Sequence, residues 1–359
     1  MVGRYGEGDP VWAMFAMGGI WLCINLWYHY QFSGDLEILR KQVYPVLKGA
    51  AEFAIDWLVE DPKTKMLTTA PSASPENWYL LPDGRRCGVS IGAACDLELI
   101  GELFKETTEA ATILGVDADF RAQIEKAQSR LQPLKIGSKG QVLEWYDEYR
   151  ETEPNHRHAS HLIGLAWGTT FNPLQNPKLF EAARKALELR GPGGGLPQKQ
   201  LMLAHLGDGT IPREGGGLYV VEDLLQSHLG DIHLLPALPA AWRDGWVKGL
   251  RARGGYTVDL EWKGGKIYKA VIHSKFAGKC RVRAAAALNV ASGGKKLPLS
   301  LVSGSGAVTQ EVYSGQIGRM IKIEESARAE TLEDVLVEFE TQAGGEYVLT
   351  VRVTAGQSG

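Results

Sequence analysis

Apolar residues recur at helical spacing in the first part of the chain, from residue 11 to about residue 226. Loops rich in Pro, Gly, Asn and Ser separate these amphipathic stretches. The pattern predicts helices over residues 11–27, 35–58, 91–114, 118–131, 179–189, 198–206 and 218–227. We expect Pro45 to kink or divide the second helix and Asp117 to cap the fourth. The pattern indicates a region in which helices pack on helices.

The hydrophobic period changes after Pro239 from about 3.6 residues to about 2. This alternation predicts strands at residues 256–262, 267–273, 280–284, 320–324, 335–340 and 347–353. The two adjacent glycines in residues 263–266 predict a hairpin turn, and the Gly/Ser/Lys-rich residues 291–306 predict a loop. The chain is therefore expected to be mainly α and then β, with a helical domain over residues 1–240 and a β-sandwich domain over residues 241–359.

The apolar run near the N-terminus, residues 11–27, is short for a membrane span and contains Gly18, Gly19 and Asn25. A buried core helix is the favoured interpretation, because a span needs about 20 predominantly apolar residues. Acidic residues precede the run where a secretory signal would carry Lys or Arg, so no export signal is predicted. Because the chain opens abruptly in core-like sequence, we expect that an N-terminal part is missing.

Composition and charge narrow the range of ligands. The 359 residues carry a formal charge of −3 and are 44% hydrophobic, which suits a large core and about two domains. No broad basic field is expected, so neither nucleic acid nor a membrane surface is a predicted partner. The four cysteines, at positions 23, 87, 95 and 280, lack the spacing of zinc ligands or of a disulfide framework. We expect free and mostly buried thiols, no metal or other cofactor, and a neutral or weakly charged ligand.

The segment with the richest chemistry is a proline-bounded loop over residues 68–78, which ends in Glu76, Asn77 and Trp78. A carboxyl group that is half-desolvated beside an indole can keep its proton near neutral pH, as a general acid must. An indole also stacks on the apolar face of a sugar ring. The competing interpretation is an exposed loop glutamate that only caps or solvates the chain.

A second candidate segment, residues 155–162, places three histidines and Arg157 on one short stretch. Imidazole and guanidinium groups can donate to several sugar hydroxyls at once. A metal site is an alternative, because His158 and His161 are about one helical turn apart, but no acidic third ligand follows at helical spacing. A helix start with histidines satisfied by the backbone is the structural alternative.

A third segment, residues 224–239, combines polar residues with the apolar run Leu234-Leu-Pro-Ala-Leu-Pro239. The apolar run is interpreted as an ordered crossing between the domains. Asp231 and His233 are candidates for a cleft, although a structural role is favoured for both.

Several blocks along the chain form one ordered pattern. They are Met17-Gly-Gly-Ile-Trp-Leu-Cys with Trp27-Tyr-His-Tyr, Pro45-Val-Leu-Lys-Gly-Ala-Ala-Glu-Phe, Ser74-Pro-Glu-Asn, His156-Arg-His-Ala-Ser-His and Leu234-Leu-Pro-Ala-Leu-Pro. In this order they resemble glycoside hydrolase family 95, which comprises mainly α-L-fucosidases and some α-L-galactosidases. The resemblance covers nearly the whole chain.

This resemblance implies a fold and a reaction. The fold would be part of an (α/α)6 toroid followed by a C-terminal β domain, and the reaction would be inverting, metal-free hydrolysis of terminal α-linked L-fucose on an oligosaccharide or glycan. Glu76 matches the family's general acid, and Arg157 and His158 match sugar-contacting positions. Asn77, Trp78 and His161 are further expected substrate contacts.

The chain departs from the family where water is activated. The family's asparagine pair lies upstream of the Met17 block, in sequence that this chain does not contain. The family's Phe-Gln-Ile-Asp-Gly-Asn-Phe-Gly stretch is also missing before the Leu-Leu-Gln-Ser-His block, and residues 193–198 replace an expected Trp-containing turn. Asp208 and Glu214 are weak substitutes for the missing Asp. Loss of a base costs roughly a hundredfold to ten-thousandfold in rate, so low or no turnover is expected.

Two other functions remain open at this level. One is a carbohydrate-binding remnant or truncated gene product without catalysis. The other is an inverting phosphorylase, which would need a basic phosphate cradle opposite Glu76; the sequence contains no Gly/Ser/Lys loop at a suitable place.

Overall fold

The computed structural model describes residues 8–191, 197–209, 218–301, 308–314, 319–325 and 334–352. The chain divides into two compact units. The first unit comprises Met1–Tyr30, Asp35–Lys199 and Ala307–Ser326, and the second comprises Gln31–Gly34, Gln200–Gly306 and Ala327–Gly359.

Helices dominate the described residues up to Leu224, as the apolar spacing predicts. They are α1 (Gly18–Ser33), α2 (Leu36–Ile38), α3 (Tyr44–Trp57), α4 (Ala94–Leu114), α5 (Ala118–Ser129), α6 (Ile163–Trp167), α7 (Pro177–Arg190), α8 (Pro197–His205) and α9 (Leu218–Leu224). The first helix begins later than predicted, because a short 3-10 turn over Pro10–Trp12 precedes it. No helix among the described residues combines the length and apolarity that crossing a bilayer would require.

The prediction that Pro45 kinks or divides this helix corresponds to a π-helical turn just before the proline, while helical residues run without a break from residue 36 to residue 57. Between α2 and α3, the turn Leu39–Val43 is π-helical, and the N–H of Tyr44 donates to the carbonyl of Leu39. Pro45 then lies in the first turn of α3, where its missing N–H costs least. The π turn therefore joins two helical pieces that the proline would otherwise interrupt.

The predicted side-chain cap at Asp117 is wrong. Asp117 precedes α5, but it adopts a left-handed backbone conformation and makes no cap hydrogen bond. Its carboxylate instead accepts from Tyr44 Oη and Lys48 Nζ, each at 2.7 Å. Contacts with α3 thus replace the local cap.

The core of the first unit lies among α1, α3, α4 and α5. On α3, Leu47, Ala51 and Ala54 repeat at spacings of four and three, and all three are fully buried. Leu99, Ile100, Leu103 and Phe104 of α4 belong to the same cluster. Burial of such side chains stabilises the unit by roughly 1.5–3 kcal/mol for each large one.

Five short strands of the first unit position the loops that follow them. They are β1 (Leu58–Glu60), β2 (Leu67–Thr69), β3 (Tyr79–Leu80), β4 (Arg86–Cys87) and β5 (Arg150–Glu151). β1 pairs with β2, and β3 pairs with both β4 and β5. The loop before β3 and the segment after β5 are therefore held side by side.

The second unit is a β-sandwich, as the alternating pattern predicts. Its strands are β6 (Leu225–Gln226), β7 (Ile232–Leu234), β8 (Gly245–Ala252), β9 (Tyr256–Lys263), β10 (Lys266–Ser274), β11 (Gly278–Ala284), β12 (Leu288–Ser292), β13 (Lys295–Lys296), β14 (Ser300–Leu301), β17 (Val335–Thr341) and β18 (Glu346–Val351). The hairpin of β15 (Val308–Ser314) with β16 (Arg319–Glu325) is a separate two-stranded sheet and belongs to the first unit. One sheet has the order β13-β12-β18-β10-β9-β8 and the other has the order β14-β17-β11-β7-β6.

Both sheets contribute to one core. Val258 and Leu260 from the first sheet belong to the same buried cluster as Val282 and Phe339 from the second. Among the described strands of these two sheets, pairing is antiparallel except between β7 and β11. The predicted hairpin at residues 263–266 is confirmed, since Gly264 and Gly265 both have positive φ.

The predicted loop over residues 291–306 needs correction, and the predicted domain boundary at residue 240 is not tested. The predicted loop over residues 291–306 is wrong in its described part, because β13, β14 and the end of β12 lie there and extend the two sheets. The boundary at residue 240 stays a prediction; strands of the second sheet begin at Leu225.

The favoured structural roles of Asp231 and His233 are supported by their partners. Asp231 is buried and accepts from Arg283 Nε at 2.6 Å. His233 Nε2 lies 2.7 Å from Asp334 Oδ2. Asp231 therefore links the residue before β7 to β11, and His233 links β7 to the residue before β17.

Candidate active site

The loop between β2 and β3, residues 70–78, is here named the acid loop. Buried side chains anchor it on two sides: Ser72 Oγ donates to Asp96 Oδ2 at 2.7 Å, and Ser74 Oγ donates to Glu144 Oε1. On the far side of Glu76, Asn77 Nδ2 donates to the same Glu144 oxygen at 3.0 Å. One buried carboxylate thus holds the acid loop both before and after Glu76.

Glu76 itself adopts an uncommon backbone conformation, with φ at +57°. Its N–H donates to the carbonyl of Val11 at 3.3 Å. A non-glycine residue in the left-handed region persists when its surroundings over-determine it, and such residues concentrate at functional sites. The neighbouring anchors supply that constraint here and turn the Glu76 side chain away from the core.

The carboxylate of Glu76 is about one-third exposed, with 32% of its side-chain surface accessible. Arg157 Nη2 donates to its Oε2, and His158 Nε2 lies 3.3 Å from the same oxygen. The glutamate and the arginine are 81 residues apart in the chain. Three of the predicted site residues therefore meet at one point.

Strand pairing explains how these segments converge. Tyr79 pairs with Glu151, so β5 runs beside the end of the acid loop. The N–H and Oγ1 of Thr152 then both donate to the carbonyl of Trp78. The chain reaches Arg157 and His158 only a few residues later.

The surroundings of His158 lower its pKa and so favour the neutral imidazole. Burial lowers its pKa first, and the Arg157 guanidinium lowers it further, against the opposing effect of Glu76. Its backbone N–H donates to His156 Nδ1 at 3.1 Å, which fixes the turn. A neutral ring can offer a donor and an acceptor to hydroxyl groups.

Glu144 is the centre of a second cluster, which the sequence did not predict. Its side chain is 3% exposed and receives hydrogen bonds from Ser74, Asn77 and Arg190. Burial would raise the pKa of Glu144, but the Arg190 guanidinium, His161 and these hydrogen bonds together lower it to about 2. The residue is therefore an anchored carboxylate. Its sequence signal was only an acidic residue before Trp145 and Tyr146.

Arg190 completes this cluster from the last residue of α7. It is buried, and its guanidinium also donates to Glu151 Oε2 at 2.7 Å and to the carbonyls of Glu153 and Pro154. A planar guanidinium with five donors suits such a junction. It fixes the segment after β5 relative to Glu144.

His161 lies in the buried cluster and not on Glu76. It is 4% exposed, and its Nδ1 lies 3.5 Å from Glu144 Oε2, which is too long for a strong hydrogen bond. Burial first, and then Arg190, lower its pKa to about 4. As a substrate contact His161 stays a prediction; its neighbours here are protein groups.

Asn77 and Trp78 also face protein groups. Asn77 is fully buried, and its Oδ1 accepts from the N–H of Trp78. The indole Nε1 of Trp78 donates to Asp9 Oδ2 at 2.8 Å, while the Arg86 guanidinium lies 4.5 Å from its ring centroid. The direct sugar contacts expected of both residues stay predictions.

Comparison with known proteins adds the decisive observation. A family model described as the glycosyl hydrolase family 95 catalytic domain matches residues 3–210, and a model of the family's C-terminal domain matches residues 226–317. The chain belongs to glycoside hydrolase family 95. The resemblance of the ordered blocks is thereby confirmed, as is the predicted order of a helical catalytic region followed by a C-terminal β-sandwich.

Relatives in this family include plant and fungal proteins. The chain is 36% identical over 304 residues to "Alpha-L-fucosidase 2" of Arabidopsis thaliana, covering 73% of this chain and 36% of that protein. It is 28% identical over 305 residues to "Probable alpha-fucosidase A" of Aspergillus niger, covering 70% of this chain and 38% of that protein. The family 95 chain thus spans little more than a third of the length of these relatives.

Solved structures of other carbohydrate-active enzymes share weaker likeness. A Streptomyces avermitilis alpha-L-rhamnosidase matches with a TM-score of 0.41 and 12% identity, covering 98% of this chain and 34% of that one. A putative kojibiose phosphorylase from human microbiome matches with a TM-score of 0.40 and 8% identity, covering 77% and 48%. Similarity at this level supports no conclusion about activity.

Neither family model covers residues 211–225, where the stretch with the family's catalytic Asp is predicted to be missing. That loss stays a prediction. Asp208, one weak substitute, lies in the second unit, whereas Glu214 and most of residues 193–198 lie outside the described residues.

Proposed function

We propose that this family 95 chain carries the acid half of a glycosidase site for terminal α-linked L-fucose on a glycan. The convergence of Arg157 and His158 on the partly exposed Glu76 supports this proposal. The names of the relatives, which are alpha-fucosidases, support the choice of sugar.

In the proposed reaction, Glu76 protonates the oxygen of the leaving group. Inverting hydrolysis needs this acid on one side of the glycosidic bond and an activated water on the other. In the free chain, Arg157 is paired with Glu76. Sugar hydroxyls would take over the guanidinium donors on binding, which would free the Glu76 carboxyl group to meet the glycosidic oxygen.

The remaining residues divide between contact and support. Neutral His158 would hydrogen-bond a sugar hydroxyl beside Glu76. Asn77 and His161 would act through the buried Glu144 cluster by fixing the acid loop and the histidine segment. Trp78 would act through its contacts with Asp9 and Arg86.

Low turnover is part of the proposal. The stretch with the family's catalytic Asp is expected to be missing between residues 208 and 218, and an acid alone leaves the water unactivated. Loss of general-base assistance costs roughly a hundredfold to ten-thousandfold in rate. A non-catalytic carbohydrate-binding function is the second candidate, favoured by an acid site without a matched base.

The two candidates differ in what they release. Purified chain would be incubated with 2′-fucosyllactose, and free fucose would be measured together with its anomeric form by NMR. Release of β-L-fucose supports inverting hydrolysis, whereas saturable binding of the glycan without release supports the binding function. Neither release nor binding would contradict both.

A matched pair of variants tests the role of Glu76. Glu76→Gln keeps the shape of the side chain but removes the transferable proton, so any release should stop while glycan binding persists. Glu125→Gln, on the exposed face of α5, is the control and should leave both unchanged. Equal turnover in wild type and Glu76→Gln would remove Glu76 from the mechanism.

A further inference from the structure

We propose that His205, Glu222 and His228 of the second unit form a binding site for a divalent transition-metal ion of the zinc class. One potential ligand atom from each residue lies within 4.8 Å of the other two. All three side chains are partly buried. The proposal does not depend on the glycosidase proposal, because it uses none of the residues assigned there.

The three donors come from three different elements. His205 is the last residue of α8, Glu222 lies on α9, and His228 follows β6. His205 Nε2 is 3.3 Å from Glu222 Oε2. The side chains of His205 and Glu222 are only 6% and 17% exposed, so the carboxylate charge is poorly screened by water.

The side chain of Gln226 already holds these segments together. Gln226 is buried, and its Nε2 donates to the carbonyl of Ala204 at 2.7 Å and to that of Glu222 at 3.0 Å. These carbonyls belong to the residue before His205 and to Glu222 itself. Much of the ordering cost of a three-residue site is therefore met before an ion arrives.

Metal binding requires one rearrangement. The rings of His205 and His228 stack with centroids 4.0 Å apart and planes 19° from parallel. Tetrahedral zinc with bonds of about 2.0–2.1 Å needs donor atoms about 3.4 Å apart, with the ion in the plane of each ring. Rotation of one imidazole about χ2 would break the stack and turn its nitrogen toward Glu222.

The donor set selects the class of ion. Two imidazoles and one carboxylate suit Zn²⁺, with water in the fourth position, and suit neighbouring transition metals less selectively. Ca²⁺ and Mg²⁺ prefer oxygen ligands and should bind poorly. A bound ion would link the end of α8 to α9.

Zinc binding to the full chain would be measured by isothermal titration calorimetry after removal of metals with a chelator. We expect one saturable equivalent, a rise in melting temperature with zinc, and no comparable effect of Mg²⁺. Because a ligand that binds only the folded state stabilises it by mass action, the thermal shift should grow with zinc concentration.

Variants assign the site. Glu222→Gln, the most conservative change, and His205→Ala and His228→Ala should each weaken zinc binding at least roughly tenfold. His273→Ala is the matched control, because His273 is an exposed histidine of the same unit lying 3.8 Å from Glu346. His158→Ala is a second control, which tests whether the measured zinc binds near Glu76 instead. Circular dichroism would verify that each variant folds.

The proposal fails if the chelated protein shows no saturable zinc binding. It also fails if binding survives unchanged in folded Glu222→Gln and His228→Ala, or if His273→Ala or His158→Ala removes the same equivalent. Loss in the three site variants with retention in both controls supports it.

Discussion

Two glutamates of the first unit have the same kinds of partner and very different surroundings. Glu76 meets the guanidinium of Arg157 and the imidazole of His158, while Glu144 meets those of Arg190 and His161. The side chain of Glu76 is 32% exposed, whereas that of Glu144 is 3% exposed. The difference lies in burial and in the hydrogen bonds that burial demands.

This comparison shows how one set of residue types can serve two purposes. A buried carboxylate is tolerated only when its oxygens are satisfied, so Glu144 is locked by Ser74, Asn77 and Arg190. Glu76 has accessible surface left and can exchange its partner for a ligand. The buried cluster fixes the loop that presents the exposed one.

The largest effect is expected from Glu144→Ala. It leaves the buried Arg190 with Glu151 as its remaining acidic partner and removes the acceptor of the acid loop, so the free energy of unfolding should fall by about 3–5 kcal/mol. Denaturant unfolding would measure this loss. Glu148→Ala is the control, because Glu148 accepts from Ser138 and Gln141 at the exposed surface, and it should cost about 1 kcal/mol or less. Equal losses would show that burial does not distinguish the two sites.

A smaller effect should appear as pH dependence. The pKa of Glu144 is lowered to about 2 from an ordinary value of 4.5, so its contribution is fully present above about pH 4.5 and is lost as the pH falls toward 2. The stability difference between wild type and Glu144→Gln should therefore shrink by a few kcal/mol across that range. The comparison with the variant is necessary because other groups titrate in the same proteins. Burial raises the pKa of Asp96 to about 6, so its contribution to stability changes with pH in the opposite direction and cancels in the difference between the two proteins. A constant difference would contradict the ionised state of Glu144.

Removing one anchor of the acid loop should lower the free energy of unfolding by a smaller amount. Ser74→Ala removes one donor to Glu144 and leaves the Asn77 bond, and a hydrogen bond to a charged group is worth about 1.5–3 kcal/mol. Glycan binding should weaken as well, because the anchor lies two residues from Glu76. Calorimetry with 2′-fucosyllactose would detect this, and Ser129→Ala, at the exposed end of α5, supplies the control. Unchanged binding would separate the anchor from the site.

The smallest effect on stability is expected at the exposed cluster. Arg157→Met breaks the ion pair with Glu76, but exposed pairs contribute about 0–1 kcal/mol, so the unfolding free energy should change by less than about 1 kcal/mol. Glycan binding should nevertheless fall, since the guanidinium is a proposed sugar donor. A large loss of stability without loss of binding would reverse the roles assigned to the two clusters.

The local pattern of the sequence determined the elements of this protein and one centre of its site. Helical spacing and strand alternation depend on neighbours a few residues away, so the long helices, most of the longer strands and the turn at residues 263–266 could be predicted. The short helix α6 and the strands β1–β8 and β12 were not predicted. Glu76, Arg157 and His158 carried their own chemical signals within motifs that resemble the family. Asp117 shows the limit, because its preference for a cap yielded to distant Tyr44 and Lys48.

Only the tertiary structure decided which carboxylates are buried and what they hold. Asn77 and Glu144 are 67 residues apart, and Glu144 and Arg190 are 46 apart, so no local period connects them. The same is true of His205, Glu222 and His228, which meet because Gln226 joins the ends of two elements. Whether an ionisable side chain becomes an anchor or an accessible reactive group depends on its desolvation and its distant partners, and these exist only once the chain has folded.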